Sequence, residues 1–554
     1  MKEKKVMIYF SQQVHTDIQS EIENCMQRSI PLTEGMSLYC ALQKEGITLS
    51  APCAGNGTCG ACKVKVIEGN LPVTEKDKQL ISKEQLKEGW RLACQAYVTE
   101  SCVVYVPTEQ FAAVTGYEDC AESISIAVGQ NANFECSPNL GNENVLQKKQ
   151  AGKDSEKDIC GIAIDLGTTT IVYELFSVKT GNTVKILSST NPQRLYGADV
   201  VSRMGQSNNG RKEILKKILR QQMRKDIAVL IGDMKTENIE SITISGNTAM
   251  THLFMGYSCE GLGKYPFMPE TLDCIETNAL KINLLDEAIP VLLTGGISAY
   301  VGGDIMAGLA SRKFLLEKTV SLFLDLGTNA EMALFDGQGK IYVTSAPAGP
   351  AFEAANISCG VGSIEGAISS VSIQGDEQKL ITIGGKEPLG FCGSGILEVV
   401  YELLKNDLID ETGLLKDEYF DSGFPVGKLK ITQQDIRQIQ LAKSAVFSAI
   451  EILMKKAGIV PEQIEYVYLA GGFGYYLNVK KAIGIGLFPQ TFAGKVKTVG
   501  NASLQGTKEL MFGRITVAEL CNIKDACKEV YLSNEPEFQN TFMENMNFRK
   551  EDME

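Results

Sequence analysis

The tetrapeptide Asp-Leu-Gly-Thr occurs twice in this chain, at Asp165 and at Asp325, 160 residues apart. Each copy closes an apolar run, Ile162-Ala-Ile before the first and Leu322-Phe-Leu before the second. Each is followed by another strand-like run, Ile171-Val-Tyr and Ala330-Glu-Met-Ala-Leu. An apolar strand, a glycine turn and a second strand read as a hairpin. Two such hairpins, so far apart, imply two related half-domains facing each other across a cleft.

The turn chemistry says what the cleft could hold. A Gly–Thr turn exposes backbone N–H groups and hydroxyls that can cradle phosphate oxygens. An aspartate just before it can hold Mg²⁺, usually through waters, because Mg²⁺ gives up its waters reluctantly. Asp165 and Asp325 are therefore candidates for Mg²⁺ and for orienting an attacking water. Gly167, Thr168, Thr169 and Thr170, with Gly327, Thr328 and Asn329, are candidates for phosphate contacts. Glu331 could reach the cleft or lie on the strand surface. A third element, Val467-Tyr-Leu-Ala-Gly471-Gly472-Phe-Gly474, reads as a strand entering a glycine turn before a helix. A side chain at that turn would block a purine ring, so glycine fits. No Walker A sequence is present, and Gly360-Val-Gly-Ser-Ile-Glu-Gly366 follows no clear strand, which excludes a dinucleotide fingerprint there.

Near the N-terminus lies a second chemistry. Cys53, Cys59 and Cys62 share a glycine-rich loop with C-x5-C-x2-C spacing, and Cys94 follows well downstream. Two irons with two bridging sulfides need four converging thiolates, and a loop containing Gly55, Gly57 and Gly60 can wrap them closely. Four cysteines also bind zinc, but zinc sites usually come as two short C-x2-4-C pairs. Cys25, Cys40 and Cys102 read as incidental or buried thiols.

At 554 residues the chain should hold several domains. The division expected is 1–108 for the cysteine domain, 109–158 as linker, 159–310 as the first half-domain and 311–554 as the second. The linker is polar, with one strand near Ile124–Val128, and would let a tethered electron carrier swing. A net charge of −13 argues against nucleic-acid partners, and no apolar run approaches the ~20 residues of a membrane span. The start, Met1-Lys-Glu-Lys-Lys-Val6, has no long apolar region, so a cytoplasmic chain with reduced thiols is expected.

The segment from Val6 to Val106 resembles 2Fe–2S ferredoxins. The plant-type spacing is C-x4-C-x2-C; this chain has one residue more, as adrenodoxin-like and fused ferredoxin domains do. The resemblance implies a β-grasp fold, with residues near Gln12–Glu23 lengthening the first hairpin. The two Asp-Leu-Gly-Thr motifs and the Gly471 turn resemble the phosphate-1, phosphate-2 and adenosine motifs of the ASKHA superfamily. Gly295-Gly-Ile-Ser-Ala-Tyr-Val-Gly-Gly-Asp304 sits where that superfamily has its first interdomain connection. The implied fold class is α/β multidomain: a β-grasp domain, a linker, and a duplicated actin-like, ribonuclease-H-like ATPase.

Further runs carry the resemblance over nearly the whole chain. They are Asn191-Pro-Gln-Arg-Leu-Tyr-Gly-Ala-Asp199, Ser245-Gly-Asn-Thr-Ala-Met-Thr-His252, Ala346-Pro-Ala-Gly-Pro-Ala-Phe-Glu-Ala-Ala-Asn-Ile-Ser358, Gly390-Phe-Cys-Gly-Ser-Gly395 and Asp435-Ile-Arg-Gln-Ile-Gln-Leu-Ala-Lys443. The chain resembles the reductive activators of corrinoid proteins. Some members carry a further middle domain between ferredoxin and ATPase, for which residues 109–158 are too few. The resemblance implies ATP-dependent, one-electron reduction of inactive Co(II) to Co(I) in a corrinoid methyl-carrier protein of an anaerobic O-demethylase or methyltransferase system. It implies a 2Fe–2S cluster, ATP and Mg²⁺ as cofactors and a low-potential donor of ferredoxin or flavodoxin type. A homodimer is left open. An uphill gap of about 150 mV costs about 3.5 kcal/mol for one electron, which nucleotide hydrolysis can offset. The competing readings are an ASKHA-type small-molecule kinase and a redox ATPase like the activators of 2-hydroxyacyl-CoA dehydratases.

Other features read as structural. Asp435–Gly458 has the period of an amphipathic helix, with Thr432 and Asp435 as a capping-box start. His252 reads as a core or hydrogen-bonded histidine. Cys359 and Cys392 lack enough cysteine neighbours for a second cluster. The loop from Ser345 to Ser358 is a candidate partner-facing segment.

Overall fold

The computed structural model describes residues 5–10, 26–31, 36–44, 57, 60, 62–98, 100–106, 159–197, 199–316, 318–354, 356–375, 377–475 and 477–549. The linker expected at 109–158 and the extra hairpin residues near Gln12–Glu23 lie outside them.

The N-terminal unit is a five-stranded mixed sheet in the order β2-β1-β5-β3-β4. Its strands are β1 (Lys5–Phe10), β2 (Met26–Pro31), β3 (Lys63–Glu68), β4 (Trp90–Leu92) and β5 (Cys102–Tyr105). β1 and β5 run parallel, and the other pairs are antiparallel. Helix α1 (Leu38–Lys44) supplies Leu38 and Leu42 to a core shared with Val64, Leu92 and Val104, all fully buried. Helix α2 (Glu75–Leu80) opens with a capping box between Thr74 and Asp77. Asp77 is buried, and its other oxygen accepts the Leu92 N–H at 2.8 Å, which pins the helix to β4.

Two six-stranded sheets follow. The first has the order β10-β11-β9-β6-β7-β8, from β6 (Cys160–Leu166), β7 (Thr170–Ser177), β8 (Thr183–Thr190), β9 (Ile239–Gly246), β10 (Ile275–Asn278) and β11 (Pro290–Leu293). The second has the order β21-β20-β12-β13-β14-β22, from β12 (Ser321–Leu326), β13 (Ala330–Phe335), β14 (Ile341–Ala346), β20 (Tyr466–Ala470), β21 (Val496–Gly500) and β22 (Cys527–Glu529). In each sheet the first three strands form an antiparallel meander. A fourth strand joins the first in parallel, and a fifth joins the fourth in parallel. The same order of five strands therefore recurs, and each Asp-Leu-Gly-Thr caps the first hairpin of its sheet, as the sequence predicts. β6 and β12 are almost continuously buried, as strands sandwiched between helices must be.

Helices cover both sheets. The first lobe carries α3 (Lys212–Ile231), α4 (Thr248–Met255) and α5 (Gly303–Ser311). Inserted in the second lobe are a three-stranded sheet, β15 (Ala367–Gln374), β16 (Glu377–Thr382) and β17 (Gly390–Phe391), and a hairpin, β18 (Phe424–Val426) with β19 (Leu429–Ile431). Helices α6 (Gly393–Lys405) and α7 (Gln433–Ala457) belong to the same lobe. The turn after β20 runs into the short α8 (Gly472–Tyr475); α9 (Ala502–Met511) follows β21, and α10 (Phe538–Glu544) lies near the C-terminus. The amphipathic pattern predicted for α7 is correct. Ile436, Ile439, Val446, Ile450 and Leu453 are fully buried, and Thr432 and Asp435 form the capping box. The buried Lys443 of α7 donates to the carbonyls of Asn545 and Asn547 at 2.6 and 2.7 Å, anchoring the chain after α10.

The lobes are joined where α5 crosses α9. A Cβ on Gly506 would lie 2.0 Å from the Ala307 carbonyl oxygen, so only glycine lets the two helices approach this closely. Asn501 and Ser503, at the start of α9, reach back to Asp165 in the first lobe. Between the N-terminal unit and the first lobe, the Tyr39 hydroxyl donates to the Leu195 carbonyl at 3.2 Å.

Candidate active site between the two lobes

The first Asp-Leu-Gly-Thr loop is held from outside. Asn191, just after β8, donates its side-chain N–H to the Gly167 carbonyl and its backbone N–H to the Thr169 carbonyl, both at 2.9 Å. Asn247, which caps α4, donates to Thr168 Oγ1 at 3.0 Å. Asp165 accepts from Asn501 Nδ2 at 2.7 Å and from Ser503 Oγ at 2.9 Å. Burial pushes its carboxyl above the usual range, and these two bonds pull against that shift. Thr170 is exposed and pairs with Thr190 as the first residue of β7.

The second loop has a different electrostatic setting. Its turn is closed by the Gly327 N–H donating to the Asn329 carbonyl at 2.9 Å. Asp325 is pushed up to about 7 by burial and then by the charges of Asp304, Asp165 and Glu353. Asp304, in the first turn of α5, is pushed up to about 7 by burial and then by Asp165. Glu331 is held well above its ordinary range by burial and by Asp304 and Asp325. Ser345 Oγ donates to it at 3.4 Å. Glu331 thus belongs to the cleft and not to an outer strand surface. These side chains keep some exposed area while their carboxyl groups are walled by protein, as expected at the floor of a cleft.

Glu353 completes the group. Its Oε2 accepts from Thr328 Oγ1 at 3.1 Å and from Thr169 Oγ1 at 3.3 Å. The third motif reaches the same place. Gly471 has φ +88°, and a Cβ there would lie 2.7 Å from Asp325 Oδ1, whereas a Cβ on Gly472 would enter open space. The close neighbour that Gly471 must clear is therefore Asp325, and the space beside Gly472 is open. Among the described residues, no three His, Cys, Asp or Glu side chains are gathered as a ready-made metal cage. Separated carboxylates that repel one another suit a cation held through its waters and a bound phosphate.

Asp165 and Asp325, legible from sequence, are thus brought to one cleft together with Thr168, Thr169, Thr328 and Gly471. Asp304 ends the Gly295–Asp304 run and Glu353 lies within Ala346–Ser358, and neither run marks them locally as site residues. Asn501 and Ser503 lie in no motif; the one local signal is an asparagine before a helix, an N-cap, and Asn501 does accept the Leu504 N–H.

In the cysteine domain, β3 and β4 pair Lys63 with Leu92, and the Ala93 N–H donates to the Cys62 carbonyl at 2.8 Å. That pairing sets Cys62 beside Ala93 and Cys94, both cysteines almost fully buried. Gly57 and Gly60 take φ of +71° and +67°, the freedom a loop wrapped on a cluster needs. Cys53 and Cys59 lie outside the described residues. Burial pushes the Cys102 thiol up to about 11, in keeping with an inert core thiol.

The remaining motif residues have structural partners. His252 is buried; its Nδ1 meets the Thr248 carbonyl at 2.8 Å and its Nε2 accepts the Glu270 N–H at 3.2 Å. Ser358 donates its N–H and hydroxyl to Asp435 Oδ1 at 2.7 and 3.1 Å. Cys392 is buried, with its Sγ 3.2 Å from the Ile368 carbonyl.

A ferredoxin-type domain joined to an ATPase of the ASKHA class is what this architecture defines. Residues 22–99 match the 2Fe-2S iron-sulfur cluster binding domain, residues 160–316 the RACo middle region, and residues 319–554 the C-terminal domain of RACo, the ASKHA domain. The middle region thus corresponds to the first lobe. The corrinoid activation enzyme RamQ of Eubacterium limosum is 30% identical over 433 residues, 71% of each chain. The [Co(II) methylated amine-specific corrinoid protein] reductase of Methanosarcina barkeri is 24% identical over 69% of this chain and 76% of its own. A solved structure, the reductive activator for corrinoid, iron-sulfur protein, covers 98% of both chains at 25% identity and a TM-score of 0.66. This chain belongs to the family of reductive activators of corrinoid proteins. Among the described residues no helix is long and apolar enough to cross a membrane.

Proposed function

We propose that this chain returns a corrinoid methyl-carrier protein from inactive Co(II) to Co(I) by one electron and couples that step to ATP hydrolysis. The observation that carries this reading is the joining of a four-cysteine domain to a cleft of uncompensated carboxylates, in a chain related to corrinoid activators and reductases. Cys53, Cys59, Cys62 and Cys94 would hold a 2Fe–2S cluster, which when bound supplies a one-electron relay.

In the cleft, Thr168, Thr169, Thr328 and the turn amides of Gly167 and Gly327 bind phosphate oxygens. Asp165, fixed by Asn501 and Ser503, is a positioned anion suited to water-bound Mg²⁺. Asp325, poised near neutrality, orients the attacking water and takes up its proton. Gly471 and Gly472 leave room for the adenine. The domain limits we assign are 1–108, 109–158, 159–310 and 311–554. The electron donor is a low-potential ferredoxin or flavodoxin-type protein, the compartment is the cytoplasm, and the duplicated half-domains suit a homodimer.

The test follows the visible spectrum of a Co(II) corrinoid protein with the anaerobic chain and a low-potential reductant. The Co(I) band should appear only after Mg-ATP is added and should be lost in Cys59→Ser. ATP turnover on a small alcohol or acid, with no Co(I) from several corrinoid partners, would overturn the reading in favour of a kinase.

A further inference from the structure

Glu353 stands between the two phosphate-type loops and belongs to neither. Thr328, one of its donors, lies in its own lobe; Thr169, the other, lies across the cleft. One carboxylate oxygen therefore ties lobe to lobe through two hydroxyls that suit phosphate. Its second oxygen lies 3.4 Å from where a Cβ on Gly327 would be, so the carboxylate lies over the turn of the second loop. A phosphate oxygen and a carboxylate oxygen are alternative acceptors for the same hydroxyl protons, and two anions resist sharing one site.

The backbone beyond Glu353 is fixed at its far end and strained in between. Glu353 closes the short 3-10 turn Pro350–Glu353. Ala354 and Asn356 follow with φ of +59° and +63°, a region that costs a non-glycine residue free energy. Ser358 is then held on Asp435 at the start of α7. Ala354 and Asn356 are thus the strained positions between Glu353 and this anchor.

We propose that Glu353 is an interlobe latch that senses the terminal phosphate of ATP. Its carboxylate and that phosphate compete for Thr169 and Thr328, and losing the competition shifts the chain that leads to Ser358. The inference rests on the reading of the cleft as an ATP site. The terminal phosphate is assigned because Asp165 and Asp325, given to Mg²⁺ and water, stand at the base of the same two loops. ADP leaves the latch closed.

The test uses the full chain, with Glu353→Gln and Glu353→Ala variants. Calorimetry with Mg²⁺ measures binding of ADP and of the non-hydrolysable analogue AMPPNP, and hydrogen exchange is followed at residues 356–360. Wild type should exchange faster there with AMPPNP than with ADP. Glu353→Gln keeps an acceptor oxygen but loses the charge, so it should bind AMPPNP about tenfold tighter than wild type with ADP affinity unchanged. Glu353→Ala should exchange fast without nucleotide. Weaker AMPPNP binding by Glu353→Gln would make Glu353 a ligand of the bound nucleotide and overturn the latch, as would equal exchange of wild type with both nucleotides. Wild type that binds neither nucleotide would overturn the ATP reading itself. If Glu353→Ala does not fold, the glutamine variant and the wild-type exchange decide.

Discussion

The molecule contains two sets of carboxyl groups walled by protein, one inside the second lobe and one in the cleft, treated in opposite ways. On α6, Glu398 and Glu402 are each 3% exposed, and Lys481 Nζ lies 2.7 Å from one and 3.0 Å from the other. Their remaining needs are met by the backbone N–H groups of Val371 and Ile373, both at 3.1 Å. In the cleft, among the described residues, no lysine or arginine pairs with Asp304, Asp325 or Glu331, and burial first, then the charges of neighbouring carboxylates, raises all three. A buried anion left without a cation costs stability, and this fold supplies one where the role is structural. In the function proposed above, the cleft differs because its counter-charge would arrive with the nucleotide.

The largest test of that contrast is a pair of neutralisations. Asp325→Asn should lower ATP hydrolysis by about 10²–10⁴-fold, the range for losing a general base, while binding of ATP persists. Lys481→Met should do the reverse. Stranding two buried carboxylates should cost about 3–5 kcal/mol in urea unfolding, with hydrolysis per folded molecule unchanged. If Lys481→Met proved neutral, or Asp325→Asn fully active, the contrast would be broken.

A smaller effect sharpens it. Asp304 and Asp325 have folded values near 7, above the 3.8 of an ordinary aspartate, so between those limits the folded chain holds protons that the unfolded chain has released. As a coupled pair they contribute stability that is complete below about pH 4 and lost as pH rises through 7. The melting temperature should therefore fall across that window, and Asp325→Asn should flatten the fall. Mg²⁺ with nucleotide should raise the melting temperature more at pH 8 than at pH 6, because a cation gains most from ionised carboxylates. Equal gains at both values would mean that the cation binds elsewhere.

Much of the architecture was legible in the order of residues. A hairpin turn is local chemistry, so Asp-Leu-Gly-Thr announced β6–β7 and β12–β13. The capping box at Thr432 and the apolar stripe from Ile436 to Leu453 announced α7 for the same reason, since every partner lies within a few residues. The cysteine spacing named the N-terminal domain. Gly471 reads locally as a turn glycine, but the carboxylate it clears lies on a strand 146 residues earlier in the chain, where no local pattern shows it.

What only the tertiary structure decided is which groups meet. Two identical tetrapeptides acquire different electrostatics because α9 brings Asn501 and Ser503 to Asp165, whereas Asp325 receives Asp304, from α5, and Glu353 as neighbours. Asp304 and Glu353 carry no local pattern that marks them as site residues. They become so because parallel strand pairing and the crossing of α5 with α9 bring distant segments to one cleft. The sequence by itself determined the elements, the duplicated turn and the cysteine spacing, all short-range features of backbone and side chain. The charge balance of the cleft depends on contacts between residues far apart in the chain, and those exist only once the two lobes are packed together.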